Sequence, residues 1–318
     1  MSNRPENINQ STGVAFLFPG QGSQAVGMGL DLYQNSSAAK AVFEEVNESL
    51  GVSLSDLLFN GPEEELTKTI NAQPAIMAVS IACLRGLEEA MGKGTMPVPS
   101  LVAGHSLGEY TALVAAGALS LADGVRLVRE RGRLMQYAAE LRDGGMAAIL
   151  SLDHDVLESV CLQTDTEISN INAPDQIVIS GERQSVEKAM ELATEKGARR
   201  TVALAVAGAF HSRLMAPAQE GLEKIVNEMS FRQPSVPLVA NCTGQAIVDV
   251  DEIKAELLAQ LCSCVRWSQS VDYMTRSGIS LFYEIGPGRV ISGMVKRNIP
   301  DADVTSVSDS ESIKQVAS

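Results

Sequence analysis

Residues 104–108 read GHSLG and carry the clearest chemical signal of the sequence, a serine with a glycine two positions away on each side. The apolar residues 101–103 precede this segment, and the helical pattern EYTALVAAGAL follows it. A strand, a tight glycine turn and a helix are the setting of a nucleophile elbow, in which Ser106 stands at the helix start. The N–H of Leu107 would then point towards an oxyanion on the attacked carbonyl. We predict that Ser106 is a nucleophile; the alternative is a glycine-rich turn with an unreactive serine.

A serine needs a base, and histidine is the usual one. The chain has three histidines. His105 lies inside the elbow, where its side chain should point away from the serine. His154 begins a helical segment in a polar setting. His211 comes where the chain leaves its middle segment, in a loop that can overhang a cleft, so elimination favours His211 as the base.

Two further residues are candidates for binding a substrate. The loop FPGQGSQ at 18–24 has glycines that let the backbone approach a ligand closely, so the N–H of Gln21 could act beside that of Leu107. The alternative is a simple turn. Arg131 lies in the helical pattern RLVRERGRLMQ, where arginines usually form a solvated face. An inward-facing guanidinium would instead bind a substrate carboxylate through two hydrogen bonds.

The order of elements that must position these residues predicts an α/β fold with a parallel-sheet core. Between about 145 and 206 the pattern changes to strand, helix, strand, strand, helix, strand, which is the ferredoxin-like βαββαβ order. We interpret this segment as a small inserted domain at 143–206. The large α/β domain is then discontinuous, with 13–142 and 207–308. Residues 1–12 and 309–318 are polar, and we expect flexible tails there.

Composition narrows the function class. A formal net charge of −14 and an aromatic content of 4% disfavour nucleic acid as a partner. The five cysteines have neither a disulfide framework nor the spacing of a metal site, so we expect reduced thiols and no bound metal. The polar start lacks a signal sequence, and we expect no stretch long enough to span a membrane. We therefore expect a cytoplasmic protein.

Several segments together resemble the malonyl-CoA:acyl carrier protein transacylases of fatty acid synthesis, whose core is hydrolase-like. The resemblance covers about residues 14–300, and FPGQGSQ followed by GHSLGEY is its most specific part. The remaining matching segments are QPA (73–75), VRLVRERGRLMQ (125–136), GGMAAI (144–149), NINAPDQIVISG (170–181), GAFHSRLM (208–215) and YEIGPGRV (283–290).

The resemblance implies a role for each matching position. Ser106 corresponds to the nucleophile, His211 to its general base and Arg131 to the residue that holds the malonyl carboxylate. Gln21 and Leu107 correspond to the backbone oxyanion donors. Gln260 falls where the family has a glutamine that orients the histidine through a hydrogen bond. We also expect three residues to contact the substrate: His105, Phe210 and Asn172. A bulky residue at 210 accompanies malonyl rather than methylmalonyl loading in related polyketide acyltransferases.

The implied reaction moves a malonyl group from malonyl-CoA through a Ser106 ester to the phosphopantetheine thiol of acyl carrier protein, by ping-pong chemistry. Coenzyme A is then part of the substrate, and no cofactor is expected. We expect a monomer. Cations on the small domain are the expected contacts of the acidic carrier protein: Lys188, Lys196, Arg199 and Arg200.

Three alternatives stay open. The same chemistry could serve a polyketide pathway. A serine acyl hydrolase would need an acidic third triad member between Ser106 and His211, for which the candidates are Asp123, Asp143, Asp153 and Asp155. A non-catalytic protein that binds acyl carrier protein would not need the set of Ser106, His211 and Arg131.

Overall fold

A computed structural model describes residues 13–92 and 94–318. Its strands are β1 (Gly13–Phe18), β2 (Leu101–Gly104), β3 (Gly144–Leu150), β4 (Glu167–Ala173), β5 (Gln176–Glu182), β6 (Arg200–Ala203), β7 (Leu238–Val239), β8 (Ala246–Ile247), β9 (Ile279–Ile285) and β10 (Asp303–Val307). Its helices are α1 (Leu30–Asn35), α2 (Ser37–Leu50), α3 (Leu54–Asn60), α4 (Glu63–Thr67), α5 (Thr69–Met91), α6 (Leu107–Ala115), α7 (Leu121–Leu141), α8 (His154–Thr164), α9 (Arg183–Glu195), α10 (Ala216–Glu228), α11 (Val250–Ala259), α12 (Trp267–Arg276), α13 (Val290–Asn298) and α14 (Ser310–Ala317).

The larger sheet has the strand order β10-β9-β1-β2-β7-β8, with every pair parallel except the last. The central strands β1 and β2 are apolar and buried along almost their whole length, as expected for a parallel sheet covered by helices on both faces. β1 and β2 end side by side, with Phe18 opposite Gly104. The glycine loop after β1 and the elbow after β2 therefore meet at one edge of the sheet.

The smaller sheet has the order β4-β5-β3-β6 and is antiparallel throughout. Side chains alternate between its faces, as they do in any strand. Ala147 and Ile149 pack with α8 and α9 in one apolar cluster. Met146 and Ala148 face the large unit, where they join its main core. The predicted βαββαβ pattern and the parallel-sheet core are confirmed.

The helix α5 begins at Thr69 and contains Pro74 in its second turn. It is also long and apolar enough to cross a membrane, contrary to the expectation that no stretch has that length. Within the fold, 83% of its most apolar window is buried, which is typical of a core helix.

The C-terminal residues were expected to be flexible, and this expectation is wrong. Residues 310–317 form α14, whose start is capped by reciprocal hydrogen bonds between Asp309 and Ser312. Ile313 is buried and packs in the main core, where its side chain lies near Gly86 of α5. Its cap and about one apolar residue per turn stabilise α14. The mostly polar composition of this segment does not indicate a packed helix. Residues 1–12, the other expected tail, lie outside the described residues.

Candidate active site

Ser106 occupies a strained turn between β2 and α6. Its φ of 52° is a left-handed value that residues with a side chain rarely adopt. The turn is possible because of the two flanking glycines. A Cβ on Gly104 would lie 1.9 Å from the carbonyl carbon of Gly108, and a Cβ on Gly108 would lie 2.0 Å from the carbonyl oxygen of Phe18. The backbone of the elbow therefore packs so closely on its own next turn and on the end of β1 that neither glycine could carry a side chain.

His211 lies directly at the serine. Its Nε2 is 2.8 Å from Ser106 Oγ, and its Nδ1 is 2.8 Å from the main-chain carbonyl oxygen of Gln260. A carbonyl only accepts, so Nδ1 carries the proton and Nε2 is free to accept the serine proton. Burial, and secondly the charge of Arg131, lower the pKa of His211 to about 3. The imidazole is thus neutral at pH 7, as a general base must be.

Arg131 is 1% exposed, so its guanidinium faces the interior and not the solvent. Nη1 donates to Gln73 Oε1 at 3.0 Å, and Nη2 donates to Ser106 Oγ at 3.1 Å. The group also lies over the ring of Tyr110, 5.0 Å from its centroid. Among the described residues no carboxylate lies within salt-bridge distance of Arg131. Burial lowers its pKa from the usual value, against the effects of Tyr110 and Glu109.

Gln260 contacts three members of the site, through different atoms. Its main-chain carbonyl orients His211, as described above. Its side-chain Oε1 accepts from Arg131 Nη2 at 2.8 Å, and its Nε2 donates to the Ser106 carbonyl oxygen at 3.0 Å. The contact with the histidine therefore does not depend on the glutamine side chain, which instead joins the arginine to the elbow.

A cavity of about 640 Å³ opens over these groups, between the two sheets. Gln21, Leu107 and Phe210 line it beside Ser106 and His211. Leu107 is the first residue of α6, so its N–H has no partner in the preceding helical turn and is free for an oxyanion. The structure thus places both predicted oxyanion donors and the bulky residue at 210 at one pocket.

His105 and Asn172 also line the cavity, where they form a contact between the two sheets. His105 Nε2 lies 2.8 Å from Asn172 Oδ1, and its ring packs on Trp267 with centroids 5.7 Å apart. The His105 side chain thus points away from Ser106 Oγ, as expected. Burial lowers the pKa of His105, against the hydrogen bond with Asn172.

The aspartates that a hydrolase triad would need are engaged elsewhere. Asp123 accepts from Ser120, Asp143 from Arg183, and Asp153 caps the start of α8. Asp155 lies beside the exposed His154. The partner of His211 Nδ1 is a carbonyl rather than a carboxylate, so the geometry gives the hydrolase alternative no acidic third member.

The cations proposed for carrier binding do not border the cavity. Lys188 lies in α9 and Lys196 directly follows that helix, which packs on the face of the small sheet opposite the cavity. Arg199 and Arg200 lie at the start of β6 and do not line the cavity either. None of the four therefore lies at the cavity, and their role as contacts of the carrier protein stays a prediction.

Three residues at the site were not predicted from the sequence. Gln73 binds Arg131, Asn241 accepts from the Ser106 N–H at 2.7 Å, and Glu109 accepts from the Asn241 N–H at 2.8 Å. Gln73 and Glu109 lie within segments that carry the resemblance, QPA and GHSLGEY. Asn241 follows β7 without any recognisable local pattern, and only the folded chain brings it to the elbow.

A strained serine at a strand-helix elbow, a neutral histidine and a parallel α/β core define an acyl-transfer or acyl-hydrolysis enzyme. The acyl transferase domain model matches residues 15–314, and the chain belongs to this family, among the malonyl CoA-acyl carrier protein transacylases.

The chain is similar to the malonyl CoA-acyl carrier protein transacylase of Bacillus subtilis, with 45% identity over 306 residues that span 95% of each chain. The Haemophilus influenzae protein of the same name is 39% identical over 95% of this chain and 97% of its own. Among solved structures, the acyl-carrier-protein-S-malonyltransferase of Bartonella henselae has a TM-score of 0.92 at 42% identity, covering 96% of this chain and 98% of its own. A malonyl-transacylase in complex with a type II PKS acyl-carrier protein has a TM-score of 0.91 at 38% identity, covering 95% and 98%.

Proposed function

We propose that this protein transfers a malonyl group from malonyl-CoA to the phosphopantetheine thiol of acyl carrier protein, through an ester on Ser106. The observation that carries the proposal is the position of Ser106 Oγ, which lies 2.8 Å from His211 Nε2 and 3.1 Å from Arg131 Nη2. One hydroxyl thus has a base on one side and a carboxylate-binding cation on the other. The names of the relatives support malonyl-CoA and acyl carrier protein as the two substrates.

In the first half-reaction Ser106 Oγ attacks the thioester carbonyl while His211 Nε2 takes the hydroxyl proton. The N–H groups of Gln21 and Leu107 stabilise the tetrahedral oxyanion, a contribution of about 10²–10³ in rate for one donor. The intermediate collapses with cleavage of the carbon–sulfur bond, and His211 returns the proton to the coenzyme A thiolate. The malonyl group then remains on Ser106 as an ester.

In the second half-reaction the carrier thiol gives its proton to His211 and attacks the ester carbonyl. Collapse of this second intermediate returns the oxygen and the proton to Ser106 and releases malonyl carrier protein. Arg131 binds the free carboxylate of the malonyl group in both steps. A guanidinium buried without such a partner keeps unpaired donors, so acyl groups without a carboxylate should be poor substrates.

The proposal includes the biological setting. We place the reaction in fatty acid biosynthesis, in the cytoplasm and in a monomeric enzyme. Ser106 and His211 supply the nucleophile and the base, so the cycle as proposed uses coenzyme A thioester as substrate and no separate cofactor. A polyketide pathway would use the same site with a different carrier protein, a possibility favoured by the likeness to the polyketide transacylase complex.

Intact-protein mass spectrometry after mixing with malonyl-CoA tests the proposal. We expect one malonyl adduct on the wild type and on Ser235→Ala, a control serine that binds Ala116 away from the cavity. We expect none on Ser106→Ala. Addition of holo acyl carrier protein should remove the adduct and yield malonyl carrier protein. Rapid release of free malonate in the absence of carrier would instead support a hydrolase.

A further inference from the structure

Glu109 is a buried acid to which the proposed cycle gives no role. It lies one turn after Ser106 on α6 and is 0% exposed. Its Oε1 accepts from the Asn241 N–H at 2.8 Å, and its Oε2 accepts from Gln260 Nε2. Both carboxyl oxygens are therefore occupied as acceptors, each by a residue from a different part of the chain.

The two residues that Glu109 binds hold the peptide groups on both sides of the nucleophile. Asn241 Oδ1 accepts from the Ser106 N–H at 2.7 Å, and Asn241 Nδ2 donates to the Gly104 carbonyl at 2.8 Å. Gln260 Nε2 donates to the Ser106 carbonyl at 3.0 Å. The strained backbone at Ser106 is thus held by the side chains of two residues that Glu109 also binds, Asn241 at its main-chain N–H and Gln260 at its side-chain amide.

The same contacts fix which way the Gln260 amide faces. Its NH₂ group meets two acceptors, the Ser106 carbonyl and Glu109, so its oxygen must face Arg131, where it accepts from Nη2 at 2.8 Å. A reversed amide would direct an NH₂ group at a guanidinium that can only donate. Burial and the charge of the neighbouring Glu256 raise the pKa of Glu109 well above its usual value, while the hydrogen bonds from Asn241 and Gln260 and the charge of Arg131 oppose this rise.

We propose that Glu109 is a positioning residue, which holds Arg131 and the Ser106 backbone in the geometry for malonyl loading through Gln260 and Asn241. This inference rests on the proposed function, since it assigns a role within the same reaction.

Glu109→Gln tests this role, because the new side-chain amide has only one acceptor oxygen. Its NH₂ group must face either Gln260 Nε2 or the Asn241 N–H, and both of these groups donate. The measurement is the acylation rate of Ser106 by malonyl-CoA and by acetyl-CoA, each as kcat and KM. We expect the malonyl-to-acetyl ratio of kcat/KM to fall about tenfold or more, as for loss of a hydrogen bond to a charged group. A role in folding alone would lower both rates together and leave the ratio unchanged, which would overturn the proposal.

Glu256→Gln is the matched control. Glu256 is a neighbouring buried acid that accepts from the Cys242 N–H and makes no hydrogen bond to Ser106, Gln260 or Arg131. We expect its ratio to match that of the wild type. If Glu109→Gln does not fold, Glu109→Asp is measured instead, since it keeps the charge but is too short to reach both partners; an unchanged ratio there also overturns the inference. Failure of the wild type to form any malonyl adduct would sink the proposed function itself.

Discussion

The two sheets of this protein differ in what they bury. Between residues 144 and 203 the buried polar side chains are uncharged, namely Thr166, Ser169, Asn170, Asn172 and Ser180. The large unit, in contrast, buries several ionisable side chains, namely Glu109, Arg131, His211, Glu256 and Glu284. An isolated buried charge is costly, so such groups persist where hydrogen bonds and function compensate for them.

Backbone strain follows the same division. In the small unit the two non-glycine residues with positive φ, Ser151 and Asp165, are exposed residues in turns, where such values are common. In the large unit Ser106 and His211 have φ values of 52° and 57°, and both lie at the site. The small sheet thus serves as a wall of the cavity, and the large unit holds the strained and charged groups. This difference leads to three predictions, which test it from the largest effect to the smallest.

Among the buried ionisable residues of the large unit, we expect Arg131 to matter most for malonyl transfer. We expect Arg131→Ala to lower malonyl transfer roughly 10²- to 10³-fold, because the substrate carboxylate loses its buried partner. Activity with acetyl-CoA should rise relative to malonyl-CoA, as measured by steady-state competition between the two donors. Arg133→Ala is the control, since Arg133 is exposed on the same helix and pairs with Glu130. Equal losses with both donors would contradict the carboxylate role.

A pair of glycine substitutions compares the two regions directly. In Gly104→Ala the new Cβ would overlap Gly108 at 1.9 Å, so the elbow must shift and we expect acylation to fall about 10²-fold. In Gly145→Ala of β3 the nearest atom is 3.8 Å away, in ordinary contact. That variant should acylate at the wild-type rate, with a thermal midpoint close to the wild type. Similar losses in both variants would remove the distinction between the regions.

The smallest effect concerns pH. Since the pKa of His211 is lowered to about 3, the base stays deprotonated well below its usual pKa of 6.5. We expect kcat/KM of Ser106 acylation to change less than about twofold between pH 7.5 and 5.5, whereas an unshifted histidine would lose about tenfold in activity one pH unit below 6.5. Stopped-flow acylation without carrier measures this, and a steep loss near pH 6.5 would contradict it.

The lowered pKa of His211 also makes the stability of the fold depend on pH. The folded state binds the His211 proton less readily than the unfolded chain does, so acid favours unfolding. The contribution of this residue to stability is therefore lost as pH falls from about 6.5 towards 3.

The sequence predicted what depends on local pattern. The elbow was identified because its glycines and serine lie close together in the chain, and the small sheet because its strand and helix segments follow one another in the βαββαβ order. Elimination among three histidines identified His211, which the fold then brings to Ser106.

The rest could not be predicted because it depends on which distant segments meet. Asn241 lies 135 positions from the serine whose N–H it binds, and nothing beside it in the sequence marks that role. The distance of α9 from the cavity was not predictable, because a helix pattern shows which of its faces is apolar but not which face of a sheet it covers. The C-terminal helix was missed because only two of its apolar residues, Ile313 and Val316, pack on the core and the rest of the segment is mostly polar.

The long apolar helix α5 reaches the site near its start. Gln73, buried in its second turn, accepts from Arg131 Nη1, while the rest of the helix packs along α2 and α7 within the core. The position of the guanidinium is thereby tied to the packing of residues that never touch a substrate. Discrimination between acyl groups in this enzyme therefore depends also on how the apolar side chains of α5 pack in the core. Substitutions that repack α5 offer a route to altered selectivity that leaves every pocket residue in place.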